Sequence, residues 1–234
     1  MQIAIRLVLL LASVLPGFGA VPVDASAEPL RSAQEFSADI VSRDSSGATL
    51  GTNGRLYAAH GKVRIEISAA AAGFFLTDGA TATALFVQSR QRVFMDARQS
   101  TRLTRIFLPV EPTDPCAQWQ AAAKNAGVPS AARNLQCQRT ERASVESTSV
   151  DGRDTIEYTV TSLAGEAVHS WIATGLGFPV KWRAADGTTL TLEHIRVEAQ
   201  PPDLFTVPPD YRKADPQALI DRIKHSDVWA APPQ

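Results

Sequence analysis

The chain has 234 residues, of which 44% are apolar, with 23 basic against 24 acidic side chains and a formal net charge of -1. That balance suits a packed globule. It accumulates no basic face, which argues against nucleic acid as a partner, and it carries no acidic tail or long charge run.

Residues 1–27 read as a signal peptide. Arg6 precedes an apolar run from Leu7 to Leu15, a Pro16-Gly17 break follows, and Ala25-Ser26-Ala27 supplies an A-x-A exit. The run is too short to cross a bilayer, which takes about 20 residues, and no cysteine lies near the exit for lipid attachment. Cleavage near Ala27 leaves a mature chain from about Glu28, expected in the periplasm or another oxidising compartment with no transmembrane segment. Residues 28–234 have the size of one all-β domain.

The spacing from Phe36 to Asp96 predicts consecutive strands. Phe36, Ala38 and Ile40 alternate with polar residues, as do Val63, Ile65 and Ile67, so that one face of each strand meets a core. Turn chemistry separates them at Asp44-Ser45-Ser46-Gly47, His60-Gly61 and Asp78-Gly79, the last expected as a tight hairpin. Ser89 to Gln91 predicts another turn. Such short connections favour an antiparallel meander, because parallel strands need long crossovers.

Asp114-Pro115 then predicts the start of a helix over Cys116–Ala126, ended by Gly127, with Cys116, Trp119 and Ala123 on one side. Strands resume at Thr155–Thr161, at Val168–Ile172 after a Gly165 turn, at Pro179–Arg183 and at Thr188–Val197. The tail is proline-rich around Phe205 and Val207, which forbids regular ladders. Asp215-Pro216 predicts a last helix to about His225. Cys116 and Cys137 are the only cysteines, and a lone pair in an exported chain most often forms a disulfide. The alternative is two free thiols in redox or metal chemistry, although their spacing fits neither C-x-x-C nor a zinc set.

The succession Gly54-Arg55-Leu56-Tyr57, Gly61-Lys62-Val63-Arg64-Ile65-Glu66, Asp78-Gly79, Phe178-Pro179 with Lys181-Trp182, and Leu204-Phe205-x-Val207-Pro208-Pro209-x-Tyr211 resembles the lipoprotein-localisation (LolA/LolB-like) superfamily of exported proteins. The resemblance spans most of the mature chain. It implies a mainly β fold, a strongly curved antiparallel sheet (an incomplete barrel) with two or three short helices as lid or flank. It also implies non-covalent binding of a lipid, an acylated ligand or a lipidated protein in an apolar hollow, carrier- or chaperone-like, without catalysis. The helix Cys116–Ala126, within a helical insertion around 115–137, and the helix Pro216–His225 would be the lids. The family's longer N-terminal amphipathic helix has no counterpart of that length between Ala27 and Phe36. The same fold with a filled interior would serve instead as a cell-envelope scaffold or protein-interaction module.

The candidate ligand wall or rim is Arg64, Phe75, Phe86, Phe94, Trp171 and Trp182; aromatic residues in this number also suit a plain core. Arg64 and Glu66 are two apart on a strand and share a face. His60, His169, His194 and His225 are scattered, with no H-E-x-x-H, and the serines lack a G-x-S-x-G elbow. The sequence therefore predicts no catalytic residues, no metal ligands and no cofactor. A hydrolase would require a Ser, a His and a carboxylate to converge in the folded chain.

Overall fold

Alternation is strongest where the first strand begins, and in the computed structural model Phe36, Ala38 and Ile40 lie buried in β1 (Phe36–Arg43). The structure describes residues 34–67, 73–79, 83–97, 106–125, 127, 134–140, 149–162 and 167–215. The leader over 1–27, the Gly165 turn and the Pro216–His225 helix fall outside the described residues.

The strands that follow are β2 (Thr49–Ala59), β3 (Lys62–Ile67), β4 (Gly73–Asp78), β5 (Thr83–Gln88) and β6 (Val93–Asp96). After helix α1 (Pro115–Asn125) come β7 (Leu135–Arg139), β8 (Ser149–Val150), β9 (Arg153–Ser162) and β10 (Ala167–Ala173). β11 (Phe178–Arg183), β12 (Thr189–Val197), a 3-10 turn (Pro202–Phe205) and β13 (Arg212–Lys213) complete the order. Among the described residues they build one 13-stranded sheet, β13-β6-β5-β4-β3-β2-β1-β12-β11-β10-β9-β7, with β8 beside β9. The sheet is curved, unclosed and antiparallel, apart from the short parallel pair of β13 with β6.

Local chemistry sets the turns. The Asp44 carboxylate accepts from the Ser46 hydroxyl at 2.6 Å, from the Ser46 amide at 2.9 Å and from the Ala48 amide at 3.0 Å, which holds its pKa below the usual carboxylate range. His60 and Gly61 both have positive φ, 52° and 77°, as a two-residue turn matched to strand twist requires. The expected tight hairpin at Asp78-Gly79 is corrected: Asp78 itself pairs with Thr83, so the connection runs from 79 to 82. Asp78 is held in the ladder by a second partner, Lys62, on the other side.

Bulges bend the sheet about its centre. β1 shifts register against β2 between Ile40 and Val41, and against β12 between Ser37 and Asp39; β10 shifts against β11 between Trp171 and Ile172. Bulges sharpen local twist and bend. The bend brings inner residues of β1–β4 into one cluster with those of β10–β12, although the two arms extend in opposite directions from β1. Phe36 and Phe178 meet edge to face with centroids 5.1 Å apart. Phe107 reaches this cluster from the segment before α1, whose Val110 amide donates to the Gly177 carbonyl at 2.9 Å.

α1 begins at Pro115 directly after Asp114, and Gly127, at φ 68°, donates its amide to the Lys124 carbonyl. Cys116, Trp119 and Ala123 are its buried side, and Trp119 packs with Tyr158, Val160 and Ile172 of β9 and β10. Cys116 is disulfide-bonded to Cys137 of β7. Burial pushes the Tyr158 phenol pKa up, and its hydroxyl donates to the Pro112 carbonyl at 2.8 Å.

Candidate functional site

The structure divides the predicted wall residues between the two faces of the sheet. Phe74 and Phe75 are consecutive in β4 and must point to opposite sides. Phe75 joins the central cluster with its cross-strand partner Phe86, ring centroids 5.0 Å apart. The Phe86 ring lies over Gly73, where a Cβ would come 2.5 Å from a ring carbon. Trp171 belongs to the same central cluster and is only 3% exposed. Trp182 is half-buried between its partners Ser170 and Leu190.

Arg64 and Phe94 are elsewhere. Phe94 packs with Phe74, Leu76, Val87, Val207 and Tyr211 in a separate cluster. The Arg64 guanidinium stacks on Phe74 at 3.5 Å, pairs with Glu66 at 2.8 Å and donates to the Leu204 carbonyl at 3.1 Å. The shared face expected of Arg64 and Glu66 is thus an ion pair, and Arg64 pins the tail to the sheet. The tail then runs as a strap: Phe205 is buried, Val207 and Tyr211 cover β4–β6, and the Ala214 amide donates to the Phe94 carbonyl at 2.8 Å.

This assigns Arg64 a measurable role. Arg64→Met keeps an apolar stem but removes the ring stacking and the bond to Leu204. The expected cost is about 1–3 kcal/mol, with amide protection lost at Arg212 and Ala214 and kept in β9 and β10 by hydrogen exchange. Unchanged protection at Ala214 would remove Arg64 as the anchor.

Each described histidine faces one carboxylate: His60 with Glu35, His169 with Glu157 and His194 with Asp39, all at 3.0 Å. His169 and the buried Glu157 come closest to the convergence a hydrolase requires. The neighbouring Ser170 alternates to the opposite face, where its partners are Tyr158 and Trp182, and its hydroxyl has no protein partner. Among the described residues no group of three His, Cys, Asp or Glu could hold a metal ion.

Sequence reasoning passed over three contributors to this architecture. Phe107 and Leu176 are fully buried, and a five-residue apolar run from Ile106 to Val110 was the available signal for the first. The third is Asp151. β11 and β12 pair only over Lys181–Arg183, and beyond that point the Asp151 carboxylate accepts from the His194 and Ile195 amides at 3.3 and 2.8 Å. It supplies the hydrogen bonds that the diverging strand no longer offers.

The described chain is therefore a curved, unclosed antiparallel sheet with an apolar inner face, one disulfide-tied helix and a C-terminal strap. No protein-family model and no curated protein sequence matches it. Among solved structures it is similar to PNGF-II, with a TM-score of 0.49, 8% identity and coverage of 82% of this chain and 33% of that one. It is similar to MucB with a TM-score of 0.42, 13% identity and coverage of 79% and 61%. For the MucA/MucB complex of Pseudomonas aeruginosa the TM-score is 0.40, with 12% identity and coverage of 76% and 57%. The chain spans less than two thirds of each of these structures. Among the described residues no helix is long and apolar enough to cross a membrane.

Proposed function

We propose that this chain is an exported, non-catalytic binding module of the cell envelope that holds the apolar part of an amphiphile along the open margin of its curved sheet. One observation carries the reading: Ile67, Phe86, Ile106, Leu190 and Ile195 are only partly buried where they pack against the central cluster of buried residues. A fringe of this kind offers apolar contact without opening the core. Each methylene withdrawn from water contributes about 0.8 kcal/mol, so burying part of an acyl chain suffices for retention. The disulfide supports export, since such bonds persist in oxidising compartments.

The experiment is uptake of a fluorescent fatty acid by the purified full chain, with Phe86→Asp as the variant. Saturable binding that weakens about tenfold or more in the variant is the expected result. Absence of uptake by the unsubstituted chain overturns the reading.

A second reading is favoured by the depth of the core. Phe36, Phe107 and Phe178 are all completely buried by protein, which suits a filled interior and a role in binding a cell-envelope protein. That reading predicts no fatty-acid uptake and one specific crosslinked partner.

A further inference from the structure

The two edges of the sheet end differently. At one end β6 is covered by β13, whose Arg212 and Lys213 are exposed and basic and follow the Pro208-Pro209 pair. Charge and proline at an edge deter the addition of a further strand. At the other end stands β7, Leu-Gln-Cys-Gln-Arg, which has no proline and a single charge, Arg139.

The register with β9 decides which backbone groups of β7 are left over. The Thr140 amide donates to the Glu157 carbonyl at 2.9 Å, so the alternate pairs, Gln138 with Thr159 and Gln136 with Thr161, are the hydrogen-bonded ones. The amides and carbonyls of Leu135, Cys137 and Arg139 therefore point away from β9. Among the described residues one of these outward groups is bonded: the Leu135 carbonyl accepts from the Gln120 side-chain amide at 2.6 Å, and it keeps a second lone pair. Leu135 and Cys137 pack on the α1 side, whereas Gln136 and Gln138 stand exposed on the other face. The Cys116–Cys137 disulfide already holds the strand in place, so pairing with another strand costs little further ordering.

We infer that this edge pairs with the same edge of a second copy of the chain, antiparallel about a two-fold axis at Cys137. In that register β7 is self-complementary. Leu135 faces the partner's Arg139, Cys137 faces the partner's Cys137, and the outward amides and carbonyls meet as hydrogen-bonded pairs. Gln136 faces the partner's Gln138 at the closer, non-bonded positions, where their side-chain amides bond across the strands. The two Arg139 side chains stay about 14 Å apart, beyond the screening length of about 8 Å at physiological salt. Sliding the pair toward Arg139 halves that distance, and sliding it the other way leaves Arg139 beyond the partner's strand. The formal net charge of -1 sets up no long-range repulsion between copies. Beside Gln120, the exposed residues one turn away on α1 are Ala117 and Lys124, one small and one flexible, so the second helix has room.

The experiment is sedimentation equilibrium of the full chain over a concentration series, with hydrogen exchange on the same samples. The expected result is a monomer–dimer equilibrium in which the amides of Leu135, Cys137 and Arg139 gain protection as concentration rises. The amides of Gln136 and Gln138, bonded to β9, should be protected throughout. Gln136→Lys/Gln138→Lys sets lysine against lysine at both cross-strand positions and is expected to weaken the dimer about tenfold or more. Gln136→Lys/Gln138→Glu sets lysine against glutamate at the same positions and should keep it. Arg139→Pro removes an outward donor and leaves the ladder to β9 intact, so it should weaken the dimer without lowering the unfolding midpoint. A chain that stays monomeric at every concentration overturns the inference. So does a dimer whose outward amides gain no protection, or one that survives both the double-lysine and the proline variants. Phe86→Asp lies in the other arm and should leave the dimer unchanged, so failure of the amphiphile reading and failure of this one are separable.

Discussion

Phe178→Ala is expected to destabilise the chain by about 3–5 kcal/mol, the range for deleting a buried phenylalanine. Phe178 is fully buried and meets Phe36 edge to face, so the substitution opens a cavity where the two arms of the sheet touch. Little can move in to fill it. Its neighbours Val180, Leu176 and Ala173 are fixed in a turn and in paired strands, and Phe36 is held by partners on both sides, Ala58 and Val197. Denaturant unfolding of Phe178→Ala, Phe36→Ala and the double variant gives the cost. The cycle should return a coupling of about 0.5–1.5 kcal/mol for the ring pair. Hydrogen exchange adds a test of architecture. If the curved sheet is one cooperative core, amides of β2–β4 and of β9–β11 lose protection together. Loss confined to one arm would show that the arms are independent, and the shared inner face would then not be a structural unit.

Such coupling between distant strands marks the boundary of what the sequence discloses. β1 and β3 were legible because a two-residue period needs no partner to be recognised, and α1 because Asp114-Pro115 and Gly127 mark its ends chemically. The pairing of Cys116 with Cys137 followed from there being no other cysteine. β7, β8 and β13 were not legible. β7 places only Leu135 and Cys137 toward the helix, while β8 and β13 are two residues each and exist because a neighbouring strand offers an edge. The division of the candidate wall has the same origin. Phe74-Phe75 shows that one ring faces in and one out, but only the register with Ile65 and Phe86 decides which. Arg64 consequently matched a ligand rim in sequence and an anchor for the tail in the fold. The outward row of β7 is hidden for that reason too, since only the register with β9 decides which of its amides point away from the sheet.

Removal of the disulfide gives the second large effect, and its distribution matters as much as its size. Cys116 and Cys137 close a sequence separation of 21 residues, for which chain entropy predicts about 3 kcal/mol of stabilisation. Cys116→Ala/Cys137→Ala should lower the denaturant midpoint accordingly, and a reducing agent should reproduce the shift in the unsubstituted chain. α1 keeps other attachments: Trp119 in its apolar cluster, the bond from Tyr158 to the Pro112 carbonyl, and that from the Gln120 amide to the Leu135 carbonyl at 2.6 Å. β7 is poorer, because its described partner strand is β9 alone. Hydrogen exchange in the variant should therefore rise first in β7, next in α1, and last in the central strands β1 and β2. An unchanged midpoint would mean that the packing of Trp119 and the ladder to β9 hold the insertion without the cross-link. A uniform rise across the sheet would mean that the insertion is needed to keep the second arm folded, and that α1 is part of the core and does not flank it.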